Sequence, residues 1–143
     1  MHIGIDPGLG GAVAVLDHAG ALVALHDVPT LTLSTSRGSR VEYDLPGMAA
    51  LLRPYTASGV QVFIEESQAM PGQGVSSTWT TGYGFGVWLG MLGALGLAYT
   101  RIRPHVWKRS LGLTSDGVVG PAQHTHREYT CIAACHTEAC TIF

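Results

Sequence analysis

Lysine is almost missing from this chain: Lys108 stands alone beside seven arginines. Charge of either sign is sparse. Only 13% of the 143 residues are charged while 46% are hydrophobic, against a usual charged share of ~25%. That balance excludes a disordered chain and a coiled coil. Eight basic residues oppose ten acidic ones, for a net charge of −2. A tight, indiscriminate nucleic-acid binder, which would carry a strong positive excess, is excluded by the same count. Cysteine occurs only as Cys131, Cys135 and Cys140. An odd, clustered set is a poor disulfide framework, and a cytoplasmic setting is expected. The N-terminus, Met1-His2-Ile3-Gly4-Ile5-Asp6, has neither the basic nor the apolar region of a signal peptide.

Two further absences divide the chain. No charge occurs between Ser67 and Thr100, so Gly82 to Tyr99 has the length of a membrane span. Six of those eighteen residues are glycine, and Gly82, Gly86 and Gly90 share one helical face. With no second span and no flanking lysines, the expectation is a buried helix lying close on a sheet, with no membrane partner. Leucine is absent from the last thirty residues, whereas the first 113 hold fifteen. Residues 1–113 are therefore taken as one domain, a size able to fold unaided, and 114–143 as a compositionally atypical tail.

The patterning predicts an α/β domain. Residues 2–6 form a short apolar strand, followed by a turn from Pro7 to Gly11 with three glycines. Ala12–Leu16 and Ala21–Val28 follow as strands joined by a short loop, making an antiparallel meander. Residues 29–41 are expected to be a polar loop. Asp44 is placed to cap a helix with Leu45, Met48, Leu51 and Leu52 on one face. Val60–Ile64 is a fourth strand ending at Glu65-Glu66. A long helix near 76–97, a fifth strand over 98–103 and a helix from Pro104 to Gly112 complete the order β-β-β-α-β-α-β-α. The last two strands, joined through a helix, should be parallel.

Asp6 and Glu65 end two strands of this one sheet. Paired carboxylates at neighbouring strand ends suit a hard divalent cation that keeps water for a phosphate substrate. The plain alternative is a turn-capping aspartate and a solvated strand-end charge. Alternation sends Glu65 and Glu66 to opposite faces, so only one can accompany Asp6.

Ile3-Gly4-Ile5-Asp6-Pro7-Gly8 with its glycine-turn hairpin, then Phe63-Ile64-Glu65, then Pro104-His105-Val106-Trp107-Lys108-Arg109-Ser110-Leu111-Gly112-Leu113 resemble the motifs of the RuvC-type Holliday-junction resolvases. The phage-like members are the most similar, and the resemblance covers residues 1 to about 115. It implies a ribonuclease-H-like mixed five-stranded sheet and Mg²⁺-dependent (or Mn²⁺-dependent) hydrolysis of phosphodiesters in branched DNA. Asp6 and Glu65 would be the metal ligands, the motif choosing Glu65 over Glu66, and Lys108 would contact the substrate phosphate. A homodimer matching the two-fold symmetry of a four-way junction is implied as well. The family carries two more acidic or histidine ligands on its last helix. Residues 114–143 do not match that pattern: their acids are Asp116, Glu128 and Glu138 alone. The expectation is an incomplete C-terminal helix and impaired catalysis, with a non-catalytic junction-binding protein as the alternative. A phosphate-binding fragment of the actin and sugar-kinase class shares the Asp-x-Gly hairpin but lacks the Trp-Lys segment.

Basic residues are few but grouped. Arg101, Arg103, Lys108 and Arg109 lie within nine residues, and Arg37 and Arg40 sit in the 29–41 segment. Phosphate neutralisation needs local rather than global positive charge, so all six are candidate nucleic-acid contacts. Trp79 is expected in the core, with stacking on an unpaired base as the other reading. His124, His126, Cys131 and Cys135 do not have common zinc spacing, and the two cysteines read as a small apolar helical face.

Overall fold

The computed structural model describes residues 1–110 apart from 37, 57 and 58, with side chains described through Lys108. The tail, Arg37 and the Arg109 side chain lie outside the described residues, and so does the end of the domain at 113. Seven strands and three helices follow in the order β1 (His2–Ile5), β2 (Ala12–Leu16), β3 (Leu22–Asp27), β4 (Thr30–Thr35), β5 (Gly38–Tyr43), α1 (Leu45–Leu52), β6 (Gln61–Glu65), α2 (Val75–Ala94), β7 (Tyr99–Ile102) and α3 (Pro104–Ser110). A single 3₁₀ turn, Arg53–Tyr55, follows α1.

The main sheet runs β3-β2-β1-β6-β7. β1, β2 and β3 form the expected antiparallel meander, and β1, β6 and β7 are parallel to one another. This is the mixed five-stranded α/β sheet that the patterning predicts. Alternation sorts its side chains by face. Ile3, Ile5, Val13, Val15, Val62 and Ile64 pack with Met48 and Leu52 of α1 and Trp88 and Leu92 of α2. On the opposite face Phe63 and Ile102 cluster with Trp107 of α3.

The start of α1 and the end of α2 each have a local cause. The Asp44 side chain accepts from the Gly47 N–H at 3.1 Å and caps α1. Gly96, at φ +69°, closes α2, and Leu97 N–H reaches back to Leu92 O at 2.9 Å, a left-handed glycine stop.

Two expectations are corrected here. Residues 29–41 are not a loop: Thr30–Thr35 and Gly38–Tyr43 pair as a separate antiparallel hairpin. Its alternating Thr-Leu-Thr-Leu pattern is strand-like, yet β4 is exposed throughout and Leu31, Leu33 and Val41 stay in solvent. An alternation that buries neither face carries no core signal, so the polar content misleads. The second correction concerns α2. A Cβ at Gly82, Gly86 or Gly90 would meet nothing within 4 Å, so that face is open. The close approach is made instead by Gly84, where a Cβ would overlap the Tyr43 hydroxyl.

Candidate functional site

Asp6 directly follows β1. Its N–H donates to Ala12 O at 3.0 Å, so the ladder with β2 continues to this residue. Its Oδ1 accepts from the Gly8 N–H at 3.1 Å, and a Cβ on Gly11 would overlap the Asp6 carbonyl oxygen and stand 2.9 Å from its carboxyl carbon. Gly11 is thus required by the packing of the chain around Asp6, whereas a Cβ at Gly8 would make only ordinary contact and one at Gly10 would meet nothing within 4 Å. Tyr43, 7% exposed, donates its hydroxyl to Pro7 O at 3.0 Å and ties the hairpin to the same turn. Burial, then Asp6, then Tyr83 hold the Tyr43 ionisation above its ordinary range, so the hydroxyl remains a donor.

Glu65 closes β6. The parallel register pairs Ile5 with Ile64, which brings Asp6 alongside Glu65. Ile5 and Ile64 both point into the α1/α2 core, so the next residue on each strand leaves from the α3 face. Asp6 and Glu65 are both half-buried there. Trp107 Nε1–H donates to Glu65 Oε2 at 3.1 Å. Glu66 is separated from this pair by its own partners: Arg103 Nε donates to its Oε2 at 3.3 Å, and Arg101 stands 4.0 Å from its Oε1. Arg101 and Arg103 share a strand face, as their alternation with Ile102 predicts.

Lys108 is exposed on α3, with Nζ 5.4 Å from the centroid of the Trp107 ring, within range of a cation–π contact. Arg40 is exposed on β5 and pairs with Glu42. Trp79 is a correction: it is 74% exposed and not in the core. The buried stripe of α2 is Gly84, Trp88 and Leu92, at spacings of four, and Trp79 falls off that stripe. With Tyr83, Leu9 and the Arg40–Tyr43 half of β5 it lines a cavity of about 520 Å³.

The donor chemistry of Asp6 and Glu65 fits a hard divalent cation, since both supply carboxylate oxygens at the ends of adjacent strands. Among the described residues no third His, Cys, Asp or Glu joins them. The contact that sequence reasoning missed is Trp107 on Glu65. Helical position shows that Trp107 faces inward but not which acceptor its ring nitrogen meets. No helix of the described residues is long and apolar enough to cross a membrane.

The fold has counterparts among solved structures. Thermus thermophilus RuvC aligns over 95% of this chain and 93% of its own, with 15% identity and a TM-score of 0.55. T. thermophilus RuvC in complex with a Holliday junction substrate aligns over 94% and 90%, with 17% identity and a TM-score of 0.58. The fold is the RuvC type of the ribonuclease-H-like architecture. At these identities the likeness extends to the RuvC-type sheet and its helices. No protein-family model and no curated protein matches the chain.

Proposed function

We propose that this chain is a structure-selective endonuclease acting on Holliday junctions or related branched DNA. One observation carries the reading: Asp6 and Glu65 stand side by side, on one face, at the ends of two adjacent parallel strands of a RuvC-type sheet. The T. thermophilus protein of the same fold has been solved with a Holliday junction.

Asp6 and Glu65 are the residues that would hold Mg²⁺ or Mn²⁺. When bound there, such an ion supplies a Lewis acid for the phosphodiester and an acidified water. The chain's own side chains do the rest. Lys108, exposed beside the Glu65–Trp107 contact, takes a non-bridging phosphate oxygen as a mobile point charge. Arg101 and Arg103 are more than half exposed while paired with Glu66, and each guanidinium has donors left for backbone phosphates. Arg37, Arg40 and Arg109 extend that set. Trp79 offers an open indole face on which an unpaired base near the branch point stacks. A homodimer matching the junction's two-fold symmetry would use the open glycine face of α2; sedimentation velocity checks it.

The direct test is cleavage of a labelled four-way junction with Mg²⁺ or Mn²⁺. Asp6→Asn and Glu65→Gln are expected to lower kcat on the order of 100-fold or more, since even partners of metal ligands cost 10–100-fold. Glu66→Gln is expected to cost far less. Turnover indifferent to Asp6→Asn and Glu65→Gln overturns the assignment. A junction-binding protein without turnover is the second reading, favoured by the lack of a third ligand among the described residues. Junction-selective binding with no cleavage under either metal would establish it.

A further inference from the structure

Trp107 is 3% exposed and packs against Phe63, two residues before Glu65 on β6, and Ile102 on β7. Burial alone would be served by phenylalanine. The indole adds a donor, and that donor reaches Glu65 Oε2 at 3.1 Å. The neutrality of that donor matters. Glu66, one residue on, is met by two guanidiniums, whose positive charge would repel a divalent cation. Glu65 instead accepts from a neutral N–H at its Oε2, a donor that orients the oxygen without adding positive charge. The same ring carries the Lys108 ammonium over its face at 5.4 Å, a resting place that draws on the π face and not on the carboxylate.

We propose that Trp107 is a positioning residue: its N–H sets the rotamer of Glu65 for a divalent cation shared with Asp6, while its ring face holds the Lys108 ammonium away from its edge N–H. The inference rests on the metal-dependent reading above. It assigns to a packed core residue the orienting task that a hydrogen-bonded neighbour performs for a metal ligand. Trp107 has two χ angles, both confined by packing on β6 and β7, so the donor is held by the sheet that carries Glu65 itself.

The test is Mn²⁺ binding to the full chain, followed by electron paramagnetic resonance without DNA. The variants are Trp107→Phe, Glu65→Gln and the double variant, with circular dichroism confirming the fold. Benzothienylalanine at position 107, which replaces the N–H by sulfur at nearly constant shape, serves as a second probe where Phe perturbs packing. Expected is a 10–100-fold weaker Mn²⁺ affinity on loss of the N–H. The double variant should be no weaker than Glu65→Gln, because the indole acts only through that carboxylate. Folded N–H-less variants that bind Mn²⁺ as the parent does, while Glu65→Gln binds weakly, overturn the inference and leave the proposed function standing. A parent that binds no Mn²⁺, or a Glu65→Gln variant that binds it unchanged, overturns both.

Discussion

Glu65 and Glu66 are adjacent in sequence and differ in everything that decides their chemistry. Glu65 meets a neutral indole donor on the α3 face, and Glu66 meets two exposed arginines. Exposed pairs of this kind are weak. Glu66→Gln is therefore expected to lower stability by less than about 1 kcal/mol, and less still at high salt, in urea titrations. His2 shows a residue-scale effect of burial. Desolvation, then the charged N-terminus, then His18 hold its pKa below the ordinary 6.5, and its Nδ1 is buried without a partner. As pH falls below 6.5 the unfolded chain takes the proton first, so this contribution is present above 6.5 and declines below it until the lowered native pKa is reached. Denaturation midpoints measured at pH values from about 7.5 to 5.5 should fall, and His2→Gln should flatten the profile. Tyr43→Phe removes the bond to Pro7 O and should cost roughly 0.5–1.5 kcal/mol.

At the scale of the element, α2 shows how a helix can carry glycines for two reasons. Gly84 is required, because the Tyr43 ring lies where its side chain would be. Gly86 is not required by packing. Gly84→Ala should destabilise the fold by about 1–3 kcal/mol through overpacking, whereas Gly86→Ala should stabilise it by about 0.5–1 kcal/mol through helix propensity. Thermal unfolding of the two variants, one lower and one higher than the parent, checks the pair; the reverse order would contradict the packing described for α2. The hairpin β4–β5 is the opposite case. It stands apart from the main sheet and is held at its base by Tyr43, so its existence depends on strand pairing that alternation alone left ambiguous.

At the scale of the whole molecule, the sheet separates a broad α1/α2 core from a small α3 cluster, and the carboxylate pair leaves from the latter side. Because residues 114–143 lack leucine and residues 1–113 are a size able to fold unaided, we expect a chain cut after Leu113 to unfold cooperatively in urea titrations. Loss of cooperative unfolding in that truncation would show that 114–143 belongs to the domain.

The sequence by itself determined the strand and helix order of the main sheet, the meander, the capped start of α1 and the placement of Asp6 and Glu65 at strand ends. Those features rest on local signals: apolar runs, turn glycines, an N-cap aspartate and a period of two. Tertiary structure alone decided that β1 and β6 are neighbours in register, so that Asp6 stands beside Glu65. It also decided that Trp79 faces solvent, that Gly84 and not the Gly82–Gly86–Gly90 face meets a neighbour, and that the Trp107 indole reaches Glu65. Each of these depends on residues far apart in the chain, and a one-dimensional pattern records which face a side chain takes but not what it meets there.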